Sequence, residues 1–199
     1  MPITDIIKNW IAEGSSVIDF GCGDGSLLCE LKSSKKINGY GVEIDADQIE
    51  LCIENGVSVV EQDIDQGIQD FFSFNFDTAI MASSIQCLKN PDVALERMLD
   101  IADNCIVTLP NFGHWRCRID VFLGRMPITK SLPVSWYETN NYHLCTIKDF
   151  EALCEERVSS RGPQRRDVSS SLGMARRRKP QWWSSWRFLS QSRTEYGCR

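Results

Sequence analysis

Three glycines spaced two residues apart, in Val17-Ile-Asp-Phe-Gly-Cys-Gly-Asp-Gly25, constrain this chain more than any other feature. A short apolar run ends in an acid, the glycines follow, and a helical pattern begins. Glycine suits such a turn because the backbone bends tightly there and a Cβ would hold it away from a ligand. Glu43 follows 22 residues after Gly21, at the end of a second apolar run over residues 39–44. A carboxylate at that point can accept both hydroxyl hydrogens of a ribose. Strand, glycine loop, helix, strand, acid is the plan of a nucleotide-binding half of a doubly wound sheet.

Charge decides which nucleotide fits. A dinucleotide fingerprint reads G-x-G-x-x-G, whereas this loop reads G-x-G-x-G and continues with Ser26. A pyrophosphate sits on bare N–H groups at a helix N-terminus and is disfavoured by nearby anions, yet Asp19 and Asp24 flank this loop. S-adenosylmethionine carries a sulfonium and an ammonium and no phosphate, so acids suit it. A third acid, Asp63, ends Val57-Ser-Val-Val-Glu-Gln-Asp63, where a third strand should close and an adenine amino group would find an acceptor. The sequence predicts an S-adenosyl-L-methionine or S-adenosyl-L-homocysteine site built from Asp19, Gly21, Gly23, Gly25, Glu43 and Asp63. A nicotinamide or other nucleotide, and an emptied relic of the fold, are the alternatives left open.

Apolar positions 6, 7, 10 and 11 predict an amphipathic helix over residues 5–13. Strands are expected at 16–20, 39–44, 57–62, 76–82 and 104–109, with helices at 25–33, 47–55 and 91–103. Gly56 should end the second of these helices, and Asn90 with Pro91 should start the third as N-cap and first helical residue. The alternation predicts an α/β fold with a doubly wound, mostly parallel, Rossmann-like sheet, which binds ligands at the carboxyl ends of its strands. After strand five a helix is expected up to Leu123, then an irregular polar and aromatic stretch through 124–137. A last helix should run from Thr146-Ile-Lys-Asp149 to Glu156.

No apolar run approaches the ~20 residues needed to cross a bilayer, and Met1-Pro-Ile-Thr-Asp5 lacks the basic start and apolar stretch of a signal peptide. The nine cysteines are odd in number and contain no C-x-x-C, and Cys29, Cys52, Cys105 and Cys154 fall in apolar segments. These observations predict reduced thiols, a cytoplasmic location and no membrane partner. Two histidines without zinc spacing predict no metal.

Net charge divides the chain near residue 156. Residues 157–199 hold eleven Lys/Arg and two Asp/Glu, whereas residues 1–156 hold eleven and twenty-five. The tail also contains nine serines, the run Arg176-Arg-Arg-Lys179, and Trp182, Trp183 and Trp186. Two units are therefore expected: a domain over 1–156 and a basic, Ser/Trp-rich tail over 157–199. The tail shows no periodicity that would supply the closing strands of the sheet. Three readings of it stand: translation out of frame, a disordered appendage, and a nucleic-acid arm, the last being the least favoured.

From residue 1 to Glu156 the chain resembles the MetW family of methionine biosynthesis proteins, which are class I methyltransferase-like. The stretches that carry the resemblance are Asp19-Phe-Gly-Cys-Gly-Asp-Gly25, Gly39-Tyr-Gly-Val-Glu-Ile-Asp45, Ser84-Ile-Gln86, Pro110-Asn-Phe-Gly-His-Trp-Arg-Cys-Arg118, Gly124-Arg-Met-Pro-Ile-Thr-Lys130, Trp136-Tyr137 and His143-Leu-Cys-Thr-Ile-Lys-Asp-Phe-Glu-Ala-Leu-Cys154. The first two are common to many class I methyltransferases; Asn-Phe-Gly-His-Trp-Arg and His-Leu-Cys-Thr-Ile are more particular. The resemblance breaks at Arg157. It implies a role in methionine synthesis beside a MetX-type homoserine O-acyltransferase, with no established methyl acceptor. An active small-molecule methyltransferase and a non-functional frame-shifted product are the competing expectations.

If methyl transfer occurs, alignment of acceptor and sulfonium supplies much of the rate, and an oxygen or nitrogen acceptor often needs a base. His114, just after strand five, is the candidate base, against the plain reading of a histidine that caps or packs the next helix. His143 is the second candidate, against a hydrogen-bonding role in the irregular stretch. Ser83, Ser84 and Gln86 are candidate substrate or cofactor contacts. Arg116 and Arg118 lie two apart on a helix and so do not share a face for a carboxylate. Tyr40, Trp115 and Trp136 are expected in the core or an interface.

Overall fold

The computed structural model describes residues 3–67, 71, 74–129, 133, 135–139, 143–159 and 186–190, the last five and residues 158–159 by backbone alone. Helix α1 (Ile3–Trp10) leads into β1 (Ser16–Phe20), followed by α2 (Ser26–Lys35), β2 (Asn38–Glu43), α3 (Ala46–Glu54) and β3 (Ser58–Glu61). The second half comprises β4 (Phe76–Ala82), α4 (Pro91–Ile101), β5 (Ala102–Leu109), α5 (Trp115–Phe122), α6 (Ile147–Ser159) and β6 (Trp186–Ser190). The strands lie in the order β3-β2-β1-β4-β5-β6, and every pairing is parallel. The chain winds outward through β2 and β3, then restarts beside β1 with β4. That reversal is the switch point of a doubly wound sheet, where neighbouring connections leave in opposite directions and open a crevice.

Two-residue alternation sorts the strand side chains between two cores. Ile18, Phe20, Ala79, Met81, Cys105, Val107 and Leu109 meet Leu95, Met98 and Ile101 of α4 and Phe150 and Cys154 of α6. Val17, Ile80 and Ile106 face the opposite way, onto Ile7, Leu28, Leu31 and Cys52 of α1, α2 and α3. Burial on both faces explains why the central strands read as nearly continuous apolar runs.

The helix ends follow their sequence signals closely in some places and not in others. Asp45 caps α3 by accepting from Asp47 and Gln48 N–H groups, and Gly56 ends it at φ +70°. Thr146 and Asp149 exchange backbone and side-chain hydrogen bonds at the start of α6, a reciprocal cap. Asn90 holds the N-cap position of α4 but makes no side-chain capping bond; Pro91 has no N–H to offer at the first position. The Asp65 carboxylate instead accepts from the N–H groups of Lys89 and Asn90. Helix α4 also stops at Ile101, and β5 starts immediately at Ala102.

The tail corrects one expectation. Residues 186–190 form β6, which pairs in register with β5 from Cys105–Trp186 to Leu109–Ser190. The tail therefore supplies a closing strand, and β5 is not the open edge that the composition implied. Residues 186–190 hold two strand-favouring aromatics, Trp186 and Phe188, in a run too short to show periodicity among flanking serines and arginines. Arg176–Lys179, Trp182 and Trp183, which suggested a nucleic-acid arm, lie outside the described residues.

Candidate cofactor site

All six strands point their carboxyl ends the same way, so the turns after β1, β2 and β3 share one edge. The turn after β1 carries the glycines. Gly21 takes φ +74°, and a Cβ there would lie 2.7 Å from the Ser84 Cβ. Its smallness thus serves the close approach of the turn after β4, whose Ser84 hydroxyl donates to the Phe20 carbonyl at 2.8 Å. Gly25 is filled from behind by Cys52 and Val57. Gly23 differs: φ is +56°, and the nearest atom to a Cβ would be Gln48 Oε1 at 3.7 Å. Of the three, Gly23 alone meets nothing closer than ordinary van der Waals distance where a Cβ would stand.

Glu43, at the end of β2, holds this loop. Its Oε2 accepts from the Gly23 N–H at 2.8 Å, while Oε1 accepts from Ile44 and Asp45 N–H groups at 2.8 and 3.1 Å. A carboxylate offers about four lone-pair positions, so one on Oε2 remains. That lone pair is open to one ribose hydroxyl; accepting both, as the sequence led one to expect, would displace a backbone bond.

Asp19 lies beneath the loop, 1% exposed on β1, and its Oδ1 has no hydrogen-bond partner among the described residues. Burial, with a smaller contribution from the Glu43 charge, raises its carboxyl to about 8. A buried, unpartnered carboxyl oxygen is costly, and a ligand donor, above all a cation, would relieve that cost. Asp24, on the rim, accepts from the Ser26 N–H, which holds its carboxyl below the usual range.

Asp63 follows β3 and caps a short 3-10 turn, Ile64–Gln66, accepting from the Asp65 N–H and Gln66 Nε2. Glu61 pairs with Glu43, and the Gln62 N–H donates to the Glu43 carbonyl, which places Asp63 at the adjoining strand end. Asp19, Gly21, Gly23, Gly25 and Glu43 form one cluster, and Asp63 stands at the end of the neighbouring strand.

Three further residues shape the cluster and carry no signal in the spacing. Ile44 stands 59% exposed beside Glu43, an apolar surface at the mouth. Gln48 fronts Gly23 from α3. Cys52, fully buried, donates to the Gly23 carbonyl at 3.0 Å and lies 3.7 Å from Cys22 Sγ. Burial pushes both thiols up. The eight cysteines of the described residues are free thiols.

The candidate bases sit elsewhere on the same edge. His114 caps α5: its Nδ1 accepts from the Arg116 N–H at 3.4 Å. A neutral imidazole accepting at Nδ1 carries its proton on Nε2, and so offers a donor there rather than a base. The His143 N–H donates to the Gln86 carbonyl at 3.1 Å, and its side chain is exposed. Ser83 takes φ +62°, uncommon for a residue with a Cβ, and its hydroxyl lies 3.3 Å from the Thr108 hydroxyl. Gln86 Nε2 donates to the Ser83 carbonyl, leaving Gln86 Oε1 buried with no partner among the described residues. Tyr40, Trp115 and Trp136 are exposed, which removes them from the core.

Solved structures share this fold. A SAM-dependent methyltransferase, possibly a histamine N-methyltransferase, from Thermotoga maritima matches with a TM-score of 0.56 at 21% identity, covering 77% of this chain and 68% of that one. The plantazolicin methyltransferase BpumL, solved with SAH, matches at 0.57 and 19% identity over 74% and 57% of the two chains. These likenesses establish a class I methyltransferase fold. In sequence, a bifunctional methionine biosynthesis protein MetXA/MetW of Rhodopirellula baltica is 29% identical over 153 residues, 72% of this chain. This chain spans a quarter of that relative's length. A family model described as methionine biosynthesis protein MetW matches residues 3–194, beyond the break expected at Arg157. By that match, over most of its length, the chain belongs to the MetW family.

Proposed function

We propose that this chain binds S-adenosylmethionine or S-adenosylhomocysteine at the glycine loop and acts, in the cytoplasm, with a MetX-type homoserine O-acyltransferase. The observation that carries the reading is Asp19: a buried carboxyl oxygen without a partner among the described residues, under a loop in which Gly23 has room where a Cβ would stand. The ligand's ammonium would take Asp19, a ribose hydroxyl the remaining lone pair of Glu43 Oε2, and the adenine the apolar face of Ile44 with its amino group toward Asp63. When bound, the sulfonium supplies a transferable methyl group. Support for the partner comes from the relative in which MetXA and MetW are one polypeptide.

A second reading, an active small-molecule methyltransferase, is favoured by the strained Ser83 at the carboxyl end of β4, since strain of this kind gathers at functional sites. The capping role of His114 weighs against it. Incubation with methyl-labelled cofactor and cell extract separates the two. Binding without label transfer, together with co-purification of the acyltransferase, supports the partner reading; stoichiometric labelling of a small molecule supports the enzyme.

We infer likewise that the chain divides at residue 156. The site lies wholly in residues 1–156, and the case for an out-of-frame tail now rests on composition alone, because β6 supplies a strand. Resequencing the gene around codon 156 decides it: a single-base insertion or deletion there supports the frame shift, and an intact frame refutes it.

A further inference from the structure

Helix α5 is built the wrong way round for a helix that covers a sheet. Its one fully buried side chain is Cys117. Trp115, Ile119 and Phe122, at i, i+4 and i+7, fall on one face, and all three are exposed, Phe122 at 89%. Leu123 and Met126 continue the apolar surface past the end of the helix. Monomeric proteins rarely present apolar stripes of this extent to water, and those that do commonly use them to bind another protein. The stripe also differs in charge from its surroundings. Residues 111–129 carry three arginines, Arg116, Arg118 and Arg125, against Asp120 alone, in a 1–156 unit with more than twice as many acids as bases.

Resting on the reading above, we propose that the α5 stripe is the surface on which the MetX-type homoserine O-acyltransferase docks. The occupant's face would be an apolar hollow with an acidic rim, complementary to Ile119 and Phe122 at the centre and Arg118 and Arg125 at the border. The fused relative is the reason to commit to this partner: two activities carried in one chain meet at high effective concentration and can keep a modest interface. The place fits as well. α5 leaves the carboxyl end of β5, the same edge as the glycine loop, so a partner on α5 sits beside the cofactor crevice.

The test uses the full chain and the acyltransferase of the same genome, with affinity measured by calorimetry and mass by light scattering. The double variant Ile119→Glu/Phe122→Glu should bind the acyltransferase at least about thirtyfold more weakly, as loss of central apolar anchors does. Arg118→Glu should lose a smaller factor. S-adenosylhomocysteine affinity, which reports a folded crevice, should stay at the wild-type value in both. If the wild type binds the acyltransferase and the double variant binds it equally, the surface assignment is wrong and the partner reading stands. If the wild type does not bind it at all, the partner reading fails and the assignment with it. Conversion of a wild-type dimer to a monomer, with acyltransferase binding intact, would give the stripe to a second copy of this chain. Parallel loss of cofactor affinity in both variants would assign the effect to folding and also overturn the proposal.

Discussion

At the scale of single residues, Asp19 makes the sharpest claim. Its folded carboxyl titrates near 8, against about 4 in an unfolded chain. The folded state therefore holds the extra proton between those values, so this residue's contribution to stability is greatest at low pH and is lost as pH rises to about 8. Asp19→Asn should flatten that slope in urea unfolding measured from pH 5 to 9. A ligand ammonium beside Asp19 favours the ionised carboxyl, so binding of S-adenosylhomocysteine at pH 7 should release a proton. Calorimetry in buffers of different ionisation enthalpy detects that release, and Asp19→Asn should abolish it. Glu43→Ala removes a charged acceptor and unties Gly23 together; at about 1.5–3 kcal/mol for a charge-assisted bond, affinity should fall ten- to a hundredfold. Unchanged affinity in a folded Glu43→Ala chain would remove Glu43 from the site. Gly23→Val should abolish binding, because valine at φ +56° is strained and would place a branched side chain where the loop backbone is to meet the ligand. Cys22→Ser should change little, since the substitution keeps size and a polar hydrogen.

At the scale of elements, the capping pair of α6 gives a measurable stability effect. Thr146→Ala removes the reciprocal cap and should cost about 1 kcal/mol, read as a lower urea midpoint with an unchanged slope. The same pair shows what the sequence makes legible. Thr146-Ile-Lys-Asp149, Asp45 and Gly56 announce helix ends because capping is a local bond between near neighbours. Strands β1, β4 and β5 announce themselves because burial on both faces forces apolar residues into a row. What stays hidden depends on contacts across many residues. Cys52 meets Gly23 only because α3 packs against the first turn, Ser84 explains Gly21 from 63 residues away, and Asp65 holds the backbone that enters α4 from 25 away. β6 escaped notice because five residues are too few to show a period. The cluster of acids and glycines at the strand ends was legible; the hydrogen bond that ties Glu43 to the Gly23 backbone was not.

At the scale of the molecule, β6 completes one side of the sheet. Ending the chain at Glu156 should bare the β5 edge, whose unpaired backbone groups invite association, so the truncated protein should melt at a lower temperature and aggregate more readily. Amides of β5 should exchange slowly in the full chain and faster in the truncated one; equal exchange would mean that residues 186–190 do not pair. The glycine loop, by contrast, follows β1, and β4 and β5 stand between β1 and β6, so truncation should alter stability more than cofactor affinity. The central claim, an S-adenosylmethionine-type site at the glycine loop, is tested most directly by calorimetric titration of S-adenosylhomocysteine into the full chain and its Gly23→Val and Glu43→Ala variants. The account predicts saturable one-to-one binding by the wild type, a ten- to hundredfold loss of affinity in Glu43→Ala, and no detectable binding by Gly23→Val. No binding heat from a folded wild-type chain, or equal affinity in all three proteins, would contradict it.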